Sequence, residues 1–478
     1  MNKITGFLLL AGLASVVGGC TMAPRYSRPA SPVPQQWPSG PAYEQTGVPA
    51  NAPLAPDLNW REFFCDEQLQ QVIGLALTNN RDLRLAALNV ERARAMYGIQ
   101  RAELFPAVNA VGSGSKQKVP ADLSGVGKSV IVEQYGANLG VSSWEIDFFG
   151  RIRSLSDAAL QEYFATEQAR RSTQILLVSE VANAYLILAA DRETLQLARA
   201  TLETQQAAYD LVRRRLDRGL VPELDLFRAQ TQVDAARGDL ARFTQMVAQD
   251  ENALNLLSGS PVPDDLLPGE LGDASPLKDI SPGVSSEMLL RRPDIQQAEA
   301  LLKAANANIG AARAAFFPRI SLTSAIGTGS DELSGLFGSG SGTWNFAPQI
   351  VAPIFDLRTW SALKVTEVEK KSAITQYEKA IQTAFREVAD ALAVRGTVDQ
   401  QIAAQESLVH AAAETYRLSN ARYTTGIDSY LSVLDAQQFL YAAQQQLVAL
   451  RLARLANQVR LYATLGGGWQ SEPMLPAP

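Results

Sequence analysis

The chain has 478 residues, 19% of them charged, and a formal net charge of −6. That length allows two or three ordinary domains or one elongated body, and the charge balance leaves no basic footprint for nucleic acid. One histidine, His410, and two cysteines, Cys20 and Cys65, are too few for a disulfide framework or a Cys/His zinc site. His410 lies in "SLVHAAAETY", an amphipathic helical stretch, and reads as a structural residue.

In chain order, Lys3 and the apolar run "GFLLLAGLASVV" form a signal peptide over residues 1–19, too short to span a bilayer. The run ends at "VGGC". Small residues before a cysteine resemble a lipobox, which makes Cys20 the first mature residue, carrying N-palmitoyl and S-diacylglycerol groups as its covalent lipid. An ordinary signal peptide followed by a chance cysteine is the plainer alternative. Thr21 in place of an aspartate resembles the bacterial signal for outer-membrane sorting. Acyl chains would anchor the protein at about 0.8 kcal/mol per buried CH₂. With Cys20 acylated, Cys65 is expected to be a buried, small apolar residue. Residues 20–65 are dense in proline and lack hydrophobic periodicity, so an extended tether or strap is expected.

The rest of the chain is written twice. "RLDRGLVPELDLFRAQ" from Arg215 recurs as "RYTTGIDSYLSVLDAQ" from Arg422, 207 residues later. "SEVANAY" at 179–185 matches "REVADAL" at 386–392 with the same offset. Upstream, "GIQRAELFP" at 98–106 matches "GAARAAFFP" at 310–318, with Asp82 and Asp294 in register at an offset of 212. The repeats therefore cover 66–259 and 285–466, separated by a Pro/Gly/Asp-rich connector at 260–284 and followed by a tail at 467–478.

Each unit reads helix, strand, strand, helix, helix. A first helix over about 66–104 stops before Pro106, and its second copy before Pro318. Strands follow at about 107–115 and 134–145, and at about 319–327 and 343–353. Tyr135, Ala137, Leu139 and Val141 alternate with Gly136, Asn138, Gly140 and Ser142. Ile320, Leu322 and Ile326 oppose Ser321, Thr323 and Gly327, and Trp344, Phe346 and Ile350 oppose Asn345, Ala347 and Gln349. Such alternation suits a membrane barrel with lipid outside and water inside, and equally a half-buried soluble sheet. Polar, flexible loops are expected between the strands of each pair, from Ser115 and from Thr328.

A helix without proline or glycine then runs from about 154 to 218, about 65 residues and roughly 100 Å. Val181, Leu188, Leu195, Leu202, Tyr209 and Leu216 recur every seven residues, which implies helices supercoiled against partners. Val388, Ile402, Val409, Tyr416 and Tyr423 repeat the row, broken by Arg395, in a helix over about 360–425. Turns at Gly219 and Gly426, where glycine tolerates positive φ, lead into return helices at about 222–258 and 429–465.

Four strands cannot close a barrel, and an open edge in lipid leaves backbone groups unpaired at several kcal/mol each. If the strands are in a membrane, several copies must share their edges. Three copies give twelve strands and a hollow ring.

The stretches "VGGC", "NNRDLRLAALNVERARAMYGIQRAELFP", "SSWEIDFFGRIRS", "LLRRPDIQQAEALLKAANANIGAARAAFFP", "QYEKAIQTAFREVADALA", "GIDSYLSVLDAQ" and "LYATLGGGW" cover nearly the whole mature chain. In that order they resemble the TolC superfamily of outer-membrane efflux channels, in its OprM-like lipoprotein branch. The resemblance implies a mainly α fold with membrane β structure: a homotrimeric twelve-stranded β-barrel continuous with a periplasmic α-helical barrel. It also implies a passive duct with no catalytic site and no cofactor, taking substrate from an inner-membrane proton-driven pump of the resistance–nodulation–division class through a periplasmic membrane-fusion adaptor. The glycine-rich "GTGSDELSG" does not open a helix in a βαβ unit, which argues against phosphate binding.

By that resemblance the closed periplasmic mouth is a leucine constriction with an aspartate ring, at Leu431 and Asp435. Three symmetry-related carboxylates would repel one another and attract cations. A second aspartate of TolC falls on Ser432, and its tip arginine falls on Asp428, so that arginine link is absent. Its tyrosine–aspartate lock falls on Tyr423 and Asp225. Both aspartates also sit where a carboxylate simply complements a helix N-terminus. The tips, with Arg215 and Arg422, are the expected adaptor contacts. A protein-exporting type I secretion duct and a non-channel coiled-coil envelope lipoprotein remain as alternatives. Drugs and solvents are the expected cargo rather than metal ions, because no Met or His cluster lines a candidate position.

Overall fold

The computed structural model describes residues 21–44, 52–273, 277–283 and 285–469. The expected signal peptide, Cys20 and nearly all of the C-terminal tail lie outside the described residues. The chain forms two compact units. Among the described residues, one comprises 21–30, Asn89–Glu167 and Gln297–Tyr377; the other comprises 31–88, Gln168–Gln296 and 378–469.

The first unit carries a four-stranded antiparallel sheet in chain order: β1 (Val108–Val119), β2 (Val130–Glu145), β3 (Arg319–Ser330) and β4 (Gly342–Val351). Its register aligns the alternating patterns. Ala110 pairs with Leu139, Leu139 with Ile326, and Ile326 with Trp344, so the apolar residues share one face. That face is bare, with Leu139 53%, Ile326 69% and Trp344 80% exposed. On the opposite face Asn109, Asn138, Thr323, Thr343 and Asn345 line a concavity of about 510 Å³. β1 and β4 are the sheet's two edges.

A β-bulge between Val141 and Trp144 puts Ser143 at φ 53°, and its N–H donates to Thr323 Oγ1 at 3.1 Å. The first hairpin is longer than expected. Its strands run through the supposed loop to Val119 and Val130, helped by the Lys116–Glu133 ion pair between directly opposed residues.

The same unit holds the start of the N-terminal strap against a helix, α5 (Pro293–Ala314). Arg28 and Tyr26 both donate to the Glu299 carboxylate, at 2.9 and 3.1 Å, and Lys303 adds a third contact at 3.1 Å. Asn306 donates to the Pro24 carbonyl at 2.7 Å. One turn on, a Cβ at Gly310 would come within 2.7 Å of the Ala23 backbone nitrogen, so the helix can accept the strap only with glycine there.

The other α-helices of more than one turn among the described residues are α1 (Glu67–Asn79), α2 (Arg81–Ala102), α3 (Arg151–Leu216), α4 (Glu223–Ser258), α6 (Leu357–Thr424) and α7 (Tyr430–Thr464). The first helix, expected unbroken over about 66–104, is two. Asn80 interrupts it, accepting from Leu83 N at 2.9 Å as an N-cap and donating to the Leu257 carbonyl at 2.9 Å. In the second repeat Arg292 occupies the matching place and donates to the Thr464 carbonyl at 2.7 Å. It also pairs with Asp294 and Glu387, at 2.6 and 2.9 Å. The two carbonyls, like Gly259 and Gly466 behind them at φ 68° and 84°, stand at equivalent repeat positions.

In this second unit the strap continues. Trp37 stacks on Phe385 with centroids 5.3 Å apart, and its indole donates to the Gly283 carbonyl at 3.2 Å. Residues expected to remain extended fold locally: Ala55–Asp57 is a 3₁₀ turn and Trp60–Phe63 a helical turn. Trp60, Phe63 and Phe64 are buried, with Phe63 stacked on Tyr462 at 4.0 Å. Cys65 departs from expectation. It follows the last buried residue of that turn and is exposed, its Sγ 3.9 Å from the Phe63 carbonyl.

Candidate functional site

Two hairpin tips meet in the second unit, and their turns are built alike. Gly219 N–H donates to Leu216 O at 2.8 Å and Leu220 N–H to Arg215 O at 3.0 Å. Gly426 N–H donates to Tyr423 O at 3.0 Å and Ile427 N–H to Arg422 O at 2.9 Å. Both glycines are left-handed, at φ 69° and 78°, which closes each long helix with the same 6→1 and 5→2 bonds.

Between the tips lies an apolar core of Val212, Ala229, Tyr423, Tyr430, Val433 and Leu434, flanked by Tyr209, Val221, Leu226 and Tyr416. It unites helices from both repeats. Tyr423 and Tyr430 are 7% and 3% exposed, their centroids 5.2 Å apart. Burial, with the neighbouring Tyr423, Tyr416 and Asp225, pushes the Tyr430 phenol up to about 12. Neither hydroxyl has a hydrogen-bond partner among the described residues. Arg215 reaches across from the first tip, its Cζ 4.8 Å from the Tyr423 centroid.

The expected pair of Tyr423 with Asp225 is not made in this chain. Asp225 instead meets Arg228 at 3.6 Å, one turn along α4, and the Tyr423 hydroxyl stays unpartnered in the apolar core. Arg422 is exposed and pairs with Asp428 at 3.3 Å. Asp428 also accepts from the Ser429 N–H and the Ser432 hydroxyl, at 2.8 and 3.1 Å, and these bonds with Arg422 hold its carboxyl below the usual range. The position lacking the TolC arginine thus fastens its own turn.

Leu431 and Asp435 lie four residues apart on α7, on one exposed face. The opposite face, with Tyr430, Val433, Leu434 and Gln437, is buried. Among the described residues Asp435 makes no hydrogen bond or ion pair. The arrangement presents an apolar side chain and a carboxylate outward while the tyrosine core holds the helix behind them. No group of three or more metal-ligating side chains occurs among the described residues.

The profile described as Outer membrane efflux protein matches residues 72–260 and 284–467, the two repeats. The chain belongs to the outer membrane efflux protein family. The antibiotic efflux pump outer membrane protein ArpC of Pseudomonas putida is 51% identical over 467 residues, covering 97% of this chain and 96% of its own. The toluene efflux pump outer membrane protein TtgC, also of Pseudomonas putida, gives the same figures. In the solved structures, the open state of the Neisseria gonorrhoeae MtrE outer membrane channel superposes with a TM-score of 0.84. It is 38% identical and covers 95% of this chain and 100% of its own.

This efflux protein is therefore an outer-membrane channel component. Two tip residues escape sequence reasoning in their structural roles. Tyr430 stands beside Leu431 and gives no signal of its own. Arg215, expected at the adaptor contact, is half-buried on Tyr423. Helical periodicity could have placed Tyr430 with Val433, Leu434 and Gln437, but only packing reveals that this is the buried side.

Proposed function

We propose that the chain assembles as a homotrimer whose sheets close a twelve-stranded barrel, forming a passive duct for drugs and solvents. One observation carries the reading: the sheet has two unpaired edges, β1 and β4, and an exposed apolar face around Leu139, Ile326 and Trp344. In lipid those edges must pair with other copies. The polar face, with Asn138, Thr323 and Asn345, would then line water. Relatives named for antibiotic and toluene efflux support the cargo class.

Energy for transport would come from an inner-membrane proton-driven pump of the resistance–nodulation–division class, joined through a periplasmic adaptor that docks at the hairpin tips. Leu431 and Asp435 would close the periplasmic mouth, and Cys20 would carry the lipid anchor. Purified protein in planar bilayers tests the reading. Wild type is expected to be mostly shut, with Leu431→Ala and Asp435→Ala passing several times more current. A detergent-extracted particle with the mass of one chain, or no conductance in any variant, would end it.

A further inference from the structure

We propose that the Tyr430 hydroxyl biases the gate toward opening while the Tyr430 ring holds it shut, because the buried phenol packs in the core between the two tips and leaves that hydroxyl unsatisfied. The inference rests on the gate reading above and adds a residue to it. Tyr430 lies directly before Leu431 and is 3% exposed. Its ring meets Tyr423 of the opposing helix α6, and the shared core includes Val212 and Ala229 of the first hairpin. Parting of the two hairpins would have to break this core.

The ring and the hydroxyl act in opposite directions. The ring's apolar surface favours the packed tip. The hydroxyl has no partner there among the described residues, and a buried polar group without a partner penalises the state that buries it. When the tips part, water reaches the phenol and the penalty disappears. A phenylalanine in the same place would keep the packing and lose the penalty. Asp225 does not relieve it, since that carboxylate is turned to Arg228.

Two substitutions separate these effects in bilayer recordings of the intact protein. Tyr430→Phe is expected to lower the open fraction about fivefold, the order that one unmade buried hydrogen bond is worth. Tyr430→Ala removes the ring and is expected to raise it. A purely structural tyrosine would make both variants leakier. A Tyr430→Phe channel as open as wild type, or more open, overturns the proposal. Leu431→Ala in the same bilayers reports on the gate reading separately: if it also fails to conduct, that reading is at fault. Thermal melting examines the hydroxyl without reference to a pore. Tyr430→Phe is expected to melt above wild type, and an unchanged or lower midpoint refutes the inference whatever the current does.

Discussion

The guanidinium of Arg215 lies over the ring of Tyr423, its carbon 4.8 Å from the ring centre, so the tip of one repeat grips the tip of the other. Such a contact is worth about 0.5–2 kcal/mol, depending on how dry it is. Arg215→Ala should therefore increase bilayer current several-fold, while Arg215→Lys keeps part of the hold and falls between. Equal currents from wild type and Arg215→Ala would show that the contact contributes nothing to closure.

Glycine-to-alanine changes inside exposed helices usually stabilise by about 1 kcal/mol. Gly310 and Gly396 should do the reverse. A Cβ at Gly310 would press on the Ala23 backbone, and one at Gly396 would lie 3.0 Å from the Ala42 carbonyl carbon. Gly310→Ala and Gly396→Ala should lower the melting temperature by a few degrees and expose the strap to protease, near Ala23 in the first variant and near Ala42 in the second. A higher melting temperature in either variant would mean that the strap does not bind as described.

The strap should also loosen in acid. Burial opposes the charge on Glu299, but the bonds from Lys303, Arg28 and Tyr26 outweigh it and hold the carboxyl below its ordinary value. A depressed carboxyl stabilises the fold above the unfolded-state value of about 4.3, and that contribution is lost as pH falls through the lower folded value. Proteolysis near Arg28 should accelerate below about pH 4 in wild type. In Glu299→Gln it should already be faster at pH 7 and depend less on pH.

Asp250 makes the opposite case. Burial and the adjacent Asp191 raise its carboxyl to about 7. A raised carboxyl leaves the fold unaffected below the unfolded value of about 3.9, and its cost grows until pH passes 7. Asp250→Asn should therefore stabilise the protein at pH 8 by about 1 kcal/mol, a figure discounted for the site's partial exposure. Near pH 4 the variant should melt like wild type. A benefit of equal size at both pH values would point to packing rather than charge.

How much could be read beforehand depended on the range of each interaction. The duplication, the alternation in β2, β3 and β4 and the tip glycines are local patterns, and the residues announce them. Asn80 announces nothing, because its role depends on the Leu257 carbonyl, which only tertiary packing brings near. Tyr430 and Leu431 are neighbours in sequence, yet one is in the core and the other at the surface. That division requires knowing which side of α7 meets the first hairpin. Cys65 defies expectation because its chemistry favours burial while the turn before it, ending at Phe64, sends it outward. The Tyr423–Asp225 pairing came from family likeness, and in this chain Arg228 stands one helical turn from that aspartate and claims it.

The paired joints at Asn80 and Arg292 make the two repeats unequal in their response to surroundings. An amide holding a carbonyl has no charge to screen or titrate. A guanidinium held between Asp294 and Glu387 is charged, and added salt partly screens its hold. In the threefold ring proposed here, six such joints of two kinds would alternate around the circumference. Brine would then soften every second one, and the tube would yield in three places while three stayed firm.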